Sequence, residues 1–338
     1  MTSVLDVGVI GVGHLGSLHA KMYSDLPGVR LVGVHDIDGA RAQAVARELG
    51  CGVFADVDDL LREVQAVSIA TATKAHRSVA LRALRRNAHV LIEKPIAATG
   101  REGREIIRLA RKRKLKVQVG HIERFNPAIL ALESYQLRPL FIESHRLSQF
   151  NPRGSDVAVV LDLMIHDIDV ILSLVQSRVK RIDANGVAVV SRSADIANAR
   201  IQFTNGCVAN VTASRISQNK MRKMRLFQQD AYISIDFAQG LAEVFRLQDE
   251  SDPTAKSTVL LGKIDEGQKK RVIVYEQPEV RDVNALRFEL EQFVKSIRDD
   301  TEPPVTGEEG LQALEVAQEI MEKIESNTVV VSRHARKH

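Results

Sequence analysis

The sequence predicts an α/β chain in two parts: a parallel sheet covered by helices on both faces, then an α+β region built on an open, mostly antiparallel sheet. Three observations carry the prediction. Short apolar runs alternate with helical repeats over the first 122 residues, which is the rhythm of βαβ units. The first of these runs, Val7-Gly8-Val9-Ile10, turns through Gly11-Val12-Gly13-His14-Leu15-Gly16 into a helix. Beyond His121 the rhythm changes to strands, two of them joined by Thr204-Asn205-Gly206, an Asn-Gly hairpin turn.

The glycine turn has a physical reading. Gly11 permits a tight turn, Gly13 lets the backbone approach a pyrophosphate, and Gly16 lets the helix pack closely on the strand. Free N–H groups at the helix start, around His14 and Leu15, suit a diphosphate. A second apolar run, residues 29–35, ends at Asp36, twenty residues past Gly16, where a ribose-binding carboxylate belongs. That carboxylate would accept from a ribose 2′-hydroxyl and repel a 2′-phosphate, so NAD is the expected cofactor, with Arg41 the nearest cation. Residues 1–122 therefore read as a Rossmann dinucleotide-binding domain.

The remaining elements follow in order. A helix over 39–49 is closed by Gly50, then come a strand at 52–55, a helix at 58–63 and a buried strand at 66–70. A helix at 76–86, a strand at 89–95, a helix at 103–112 and a strand at 116–121 complete the first domain. The second, 123–338, carries strands at 140–146, 181–190, 200–203, 207–212, 225–227, 231–236, 241–246 and 271–275. Residues 249–268 read as a polar loop. Helices at 284–298 and 308–325 flank Pro303-Pro304, and the last is able to pack back on the first domain.

Composition narrows the function classes. At 338 residues and 44% hydrophobic content the chain can bury two cores. Its 47 basic and 43 acidic residues leave a net charge of +4, which does not demand a nucleic acid partner. The basic run 101–116 has no aromatic residue for base stacking and reads as the solvated face of a helix. Cys51 and Cys207 form neither a metal motif nor a disulfide framework, and no apolar run is long enough to span a membrane. A cytoplasmic protein without a bound metal follows most simply.

Two stretches carry the chemistry. Glu93-Lys94-Pro95 falls at the carboxyl end of a strand, where ligands of such sheets bind, and a lysine there can steady a substrate hydroxyl. The helix over 159–175 places Asp162, His166 and Asp169 on one face. A histidine can take the proton of an alcohol as its carbon gives up hydride, with a carboxylate fixing its tautomer.

Together, the glycine fingerprint, Ala70-Thr71-Ala72-Thr73-Lys74-Ala75-His76, Glu93-Lys94-Pro95, Asp162-x-x-x-His166 and Glu308-Glu309-Gly310-Leu311 resemble the Gfo/Idh/MocA oxidoreductase family over nearly the whole chain. The resemblance implies Lys94, Asp162 and His166 as catalytic residues, with Thr71, Thr73, His76 and Glu93 joining the glycine turn and Asp36 in holding the cofactor. Ala72 departs from the proline common in the family. The stretches Gly120-His121-Ile122-Glu123-Arg124-Phe125-Asn126-Pro127 and Ser214-Arg215 through Tyr232-Ile233-Ser234 resemble the branch that oxidises UDP-N-acetylglucosamine at C3. That branch makes a 3-keto sugar nucleotide for a partner aminotransferase on the way to a lipid A precursor. It implies a sugar-nucleotide substrate held by Arg124, Asn126, Asp162, His166 and Arg215, with Lys220, Arg222, Lys223 and Arg225 as further cations for a diphosphate. A homodimer or homotetramer is expected through the open sheet face. A free polyol such as inositol as substrate, or a dinucleotide-sensing regulator, remain the alternatives.

Overall fold

The first apolar runs become six parallel strands: β1 Leu5–Ile10, β2 Val29–His35, β3 Gly52–Val53, β4 Ala66–Ile69, β5 His89–Glu93 and β6 Val117–Gly120. Five helices alternate with them: α1 His14–Ser24, α2 Gly39–Leu49, α3 Val57–Glu63, α4 Thr73–Arg85 and α5 Gly100–Arg113. This computed structural model describes residues 4–151, 157–251, 259–266 and 269–335. Strand order is β3-β2-β1-β4-β5-β6, so the winding reverses between β1 and β4 and leaves a crevice at their carboxyl ends. Val7, Val9, Val67 and Ile69 are wholly buried, as strands covered on both faces require. Gly50 closes α2 in the left-handed conformation, φ 66°, as its position predicts.

The second part begins with a 3₁₀ turn, Ile122–Phe125, and the short α6 Pro127–Leu130. After β7 Phe141–Leu147, a π-helical turn at Val160–Met164 runs directly into α7 Ile165–Val175. Then follow β8 Val179–Val187, β9 Ile196–Phe203, β10 Val208–Ser214, β11 Met221–Phe227, β12 Ala231–Asp236, β13 Leu241–Asp249, β14 Val259–Glu266 and β15 Lys269–Glu276. The sheet order is β14-β15-β13-β12-β11-β7-β10-β9-β8, antiparallel throughout except for β7 beside β10. Gly206 takes φ 92° in the Asn-Gly turn between β9 and β10.

One face of this sheet buries Ile142, Val211, Leu226, Ile233, Ile235, Val244 and Val274, and α7 contributes Ile165, Ile168 and Ile171 to the same core. The other face carries an aromatic ladder across five strands. Phe141, Phe227, Tyr232, Phe245 and Tyr275 stand in sequence with ring centroids 5.9, 5.1, 5.4 and 5.2 Å apart. Arg225 pairs with Glu143 beside the ladder at 2.7 Å.

The last two helices are α8 Ala285–Arg298 and α9 Gly307–Ala335. The chain divides into Met1–Ile122 with Asn284–Glu315, and Glu123–Val283 with Val316–His338. In the first unit α8 adds Leu290, Phe293 and Val294 to the core formed by Leu5, Val7, Val9 and Tyr23. The arginines of α5 meet acids on the start of α9, Arg111 with Glu308 at 2.7 Å and Arg104 with Glu315. That helix side is thus partly neutralised.

Three expectations need correction. Within the segment read as a polar loop, Val259–Glu266 is an edge strand, β14, whose Val259, Leu260 and Leu261 are about half exposed (60, 52 and 55%). An edge strand buries too little to show the alternation that marks a strand in sequence. Residues 252–258 and 267–268 of that loop lie outside the described residues. Strand β11 starts at Met221 rather than Arg225, because cations occupy its exposed positions. The helix expected over 159–175 begins as a π turn, which shifts the facing of Asp162.

Candidate active site

The glycine turn has the shape that a dinucleotide needs. Gly11 takes φ 85°, and a Cβ on it would lie 2.8 Å from the Ala70 backbone at the end of β4. A Cβ on Gly16 would lie 1.8 Å from the Gly11 carbonyl oxygen, so α1 can approach β1 this closely with glycine alone. A Cβ on Gly13 would meet nothing within 4 Å, which leaves open space in front of the helix start. Gly13 is the N-cap and supplies no side-chain hydrogen bond, while His14 and Leu15 stand exposed in the first turn. Open space, N–H groups without a side-chain cap and a positive helix end together fit a pyrophosphate.

Asp36, expected at the ribose, is already held in place. Its Oδ2 accepts from the Val12 N–H at 2.8 Å and its Oδ1 from the Asp38 N–H at 2.8 Å, with the Arg41 guanidinium 3.5 Å away. The carboxylate thus ties the β1 turn to the end of β2, and the exposed Arg41 pairs with Asp38 at 3.2 Å as well. Thr71 and Thr73, at the start of α4, are half-buried across the same crevice. His76 is wholly engaged by backbone: Nδ1 lies 2.9 Å from the Pro95 carbonyl and Nε2 3.0 Å from the Thr71 carbonyl. Burial pushes its pKa down against those two carbonyls. The ring therefore fastens the loop after β5 to the loop after β4.

Glu93 ends β5 and Lys94 follows, its peptide bond to Pro95 cis. His19 of α1 brings its Nε2 to 3.0 Å from the Glu93 Oε1. Burial alone would push its carboxyl up. The contact with His19, together with Lys94, outweighs burial and holds it below the ordinary carboxylate range.

In the second unit Asp162 and His166 are half-buried, Asp162 in the π turn and His166 at the start of α7. Asp169 does not join them. It is buried and bound by Arg124, Nε to Oδ2 2.9 Å. Asp167, which the sequence does not single out, is buried beside His166 and takes both prongs of Arg146 on β7, at 2.9 and 3.0 Å. The third nitrogen of Arg146 reaches Glu123 at 2.7 Å, and Glu123 accepts from Asn126 at 3.0 Å. Burial works against the Arg146 charge, but Asp167 and Glu123 outweigh it and raise its pKa. The first turn of α7 is thereby anchored to β7 and to the 3₁₀ turn by buried charge.

The residues expected to bind the diphosphate are part of this framework. Arg124 is spent on Asp169. Asn126 caps α6 through its side-chain oxygen, at 3.1 Å from the Ala128 N–H, and donates to Glu123 and to the Phe237 carbonyl. Arg215 is buried, donating to the Val157 carbonyl with Asp195 3.7 Å away. Lys223 pairs with Asp236 and Arg225 with Glu143. Lys220 and Arg222 remain exposed. His19 and Arg146 were legible only in part: His19 stands three residues past Gly16, but nothing local says that its partner is Glu93, 74 positions along the chain.

Residues 5–121 match the family described as "Oxidoreductase family, NAD-binding Rossmann fold" and residues 135–234 the "GFO/IDH/MocA C-terminal domain". The chain is 41% identical over 271 residues to the UDP-N-acetylglucosamine 3-dehydrogenase of Acidithiobacillus ferrooxidans, covering 77% of this chain and 86% of that one. A solved structure of UDP-N-acetylglucosamine 3-dehydrogenase from the same organism superposes with TM-score 0.85 at 36% identity, over 95% of this chain and 98% of that one. An inositol 2-dehydrogenase of Rubrobacter xylanophilus is 34% identical over 192 residues, 54% of this chain and 55% of that one.

The buried cluster yields a stability prediction. Arg146→Leu leaves Asp167 and Glu123 as uncompensated buried carboxylates and should cost about 3–5 kcal/mol. Chemical denaturation of the variant checks this, and a loss below about 1 kcal/mol, the level of a surface pair, would contradict the role assigned to Arg146.

Proposed function

The chain belongs to the Gfo/Idh/MocA oxidoreductase family and is an NAD-dependent dehydrogenase of CH–OH groups, and we propose that its substrate is UDP-N-acetylglucosamine, oxidised to a ketone at C3. The observation that carries the substrate is the 41% identity to a protein of that name, over 86% of its length. Relatives named inositol 2-dehydrogenase match about half of the chain at 34% or less.

In this reading Lys94, Asp162 and His166 are the catalytic residues. Bound NAD supplies the hydride acceptor. The Lys94 ammonium donates to the oxygen of the C3 hydroxyl, favouring the negative charge that grows there as the hydroxyl loses its proton, before that charge leaves with the hydride. The neutral imidazole of His166 takes the hydroxyl proton, and Asp162 orients the imidazole or the hydroxyl. Hydride and proton thus leave the same CH–OH group separately, and a ketone remains. Exposed cations of the basic stretch, Lys220 and Arg222 among them, supply charge to the diphosphate. The 3-keto product suits an aminotransferase as the next enzyme.

The substrate is tested by offering UDP-N-acetylglucosamine, its uronic acid and myo-inositol with NAD and following reduced-nicotinamide absorbance. Turnover is expected with UDP-N-acetylglucosamine, and reduction with inositol alone would overturn the substrate while leaving the family intact.

We also infer a homo-oligomer assembled through the ladder face of the large sheet, since five aromatic rings in a row form an apolar stripe that self-association would cover. Sedimentation at micromolar concentration should report a dimer or tetramer. A monomer, or an oligomer unchanged by Phe227→Glu, would count against it.

A further inference from the structure

The first unit contains a buried polar chain that neither the cofactor nor the proposed chemistry uses directly. His19 and Tyr23, one turn apart on α1, and Ser68 on β4 are each fully buried. The Tyr23 hydroxyl lies 3.0 Å from Ser68 Oγ, Ser68 Oγ 3.2 Å from His19 Nδ1, and His19 Nε2 3.0 Å from Glu93 Oε1.

The protons of this chain can be placed in one direction. Tyr23 donates its O–H to Ser68 and Ser68 donates its O–H to Nδ1, which leaves the proton on Nε2, 3.0 Å from the carboxylate. Burial pushes the Tyr23 phenol far above its ordinary range, which keeps it the donor at the head of the chain. A single tautomer of His19 results, fixed from behind, as a ring that must hold a carboxylate requires.

The other end is shaped to match. A Cβ on Gly120 would lie 3.1 Å from the Glu93 carboxyl carbon and from both its oxygens, so β6 leaves a slot with room for that carboxylate and little more. The Lys94 backbone N–H also hydrogen-bonds the carboxylate. The carboxylate is gripped by α1 on one side and by the residue proposed to act on the substrate on the other. The charged and titratable groups around it are His19 from α1, Lys94, His76 from α4 and Glu289 from α8.

We propose that His19 is a positioning residue for Lys94, acting through the Glu93 carboxylate. The helix whose first turn faces the pyrophosphate site thereby also fixes, one turn further on, the residue before the catalytic lysine. This rests on the reading of Lys94 as catalytic.

The test compares His19→Leu, His19→Gln and Lys94→Ala by steady-state kinetics across pH with UDP-N-acetylglucosamine and NAD, with NADH binding followed by fluorescence. His19→Leu should lower kcat by about 10-fold, with KM for the sugar nucleotide and the NADH dissociation constant within about threefold of the parent. Without the His19 donor the Glu93 carboxyl titrates at higher pH, so the acid limb of kcat should move up in pH. His19→Gln, which still carries an N–H donor, should recover most of both effects. Parental kcat and pH profile in His19→Leu, alongside a crippled Lys94→Ala, would overturn the proposal and leave the catalytic reading standing. Parental turnover in Lys94→Ala would remove the catalytic reading itself. If His19→Leu does not fold, Ser68→Ala removes the donor to Nδ1 and should show the same upward shift with a loss of about threefold. An unshifted acid limb there would equally overturn the proposal.

Discussion

At Gly16 the backbone of α1 comes so near the β1 turn that a Cβ would fall 1.8 Å from the Gly11 carbonyl oxygen. This approach sets the position of everything that follows on that helix. It puts the open N-terminal turn in front of the crevice at the β1–β4 reversal, and it brings His19 to Ser68 and Glu93. Asp36 reinforces the arrangement from the next strand by accepting the Val12 N–H. A missing side chain therefore determines where several charged ones can stand.

The second unit solves a similar problem by different means. Its π turn and α7 carry Asp162 and His166, and the fixed points of that segment are the buried pairs Asp167–Arg146 and Asp169–Arg124. Buried charges of this kind add little net stability compared with apolar packing, yet removing one partner is costly, so they define one arrangement of the helix against the strand and turn that bind it. Three of the four acids between 162 and 169 or in the 3₁₀ turn that could have faced a ligand are thus spent internally: Glu123, Asp167 and Asp169.

What was legible in the sequence was local. Apolar runs of βαβ length, Gly50 after a helical repeat and Asn205-Gly206 between alternating strands each act within a few residues, and each appears where its chemistry placed it. Pairings over long separations were not legible. Asp162, Asp167 and Asp169 look alike in a helical repeat, and only β7 and the 3₁₀ turn, brought up by the fold, select Asp167 and Asp169 for burial. Arg124 and Arg215 read as cations for a diphosphate because their carboxylate partners lie 45 and 20 positions away. β14 was hidden because an edge strand can be built from a run with no buried alternation.

We propose that hydride leaves C3 of UDP-N-acetylglucosamine, with NAD as acceptor. The most direct measurement supplies the sugar nucleotide deuterated at C3 and determines by mass spectrometry where the label goes. Reduced nicotinamide carrying the deuterium, formed with a primary isotope effect, is the predicted result. Reduced nicotinamide without the label, or no reduction of NAD by this substrate, would contradict the account.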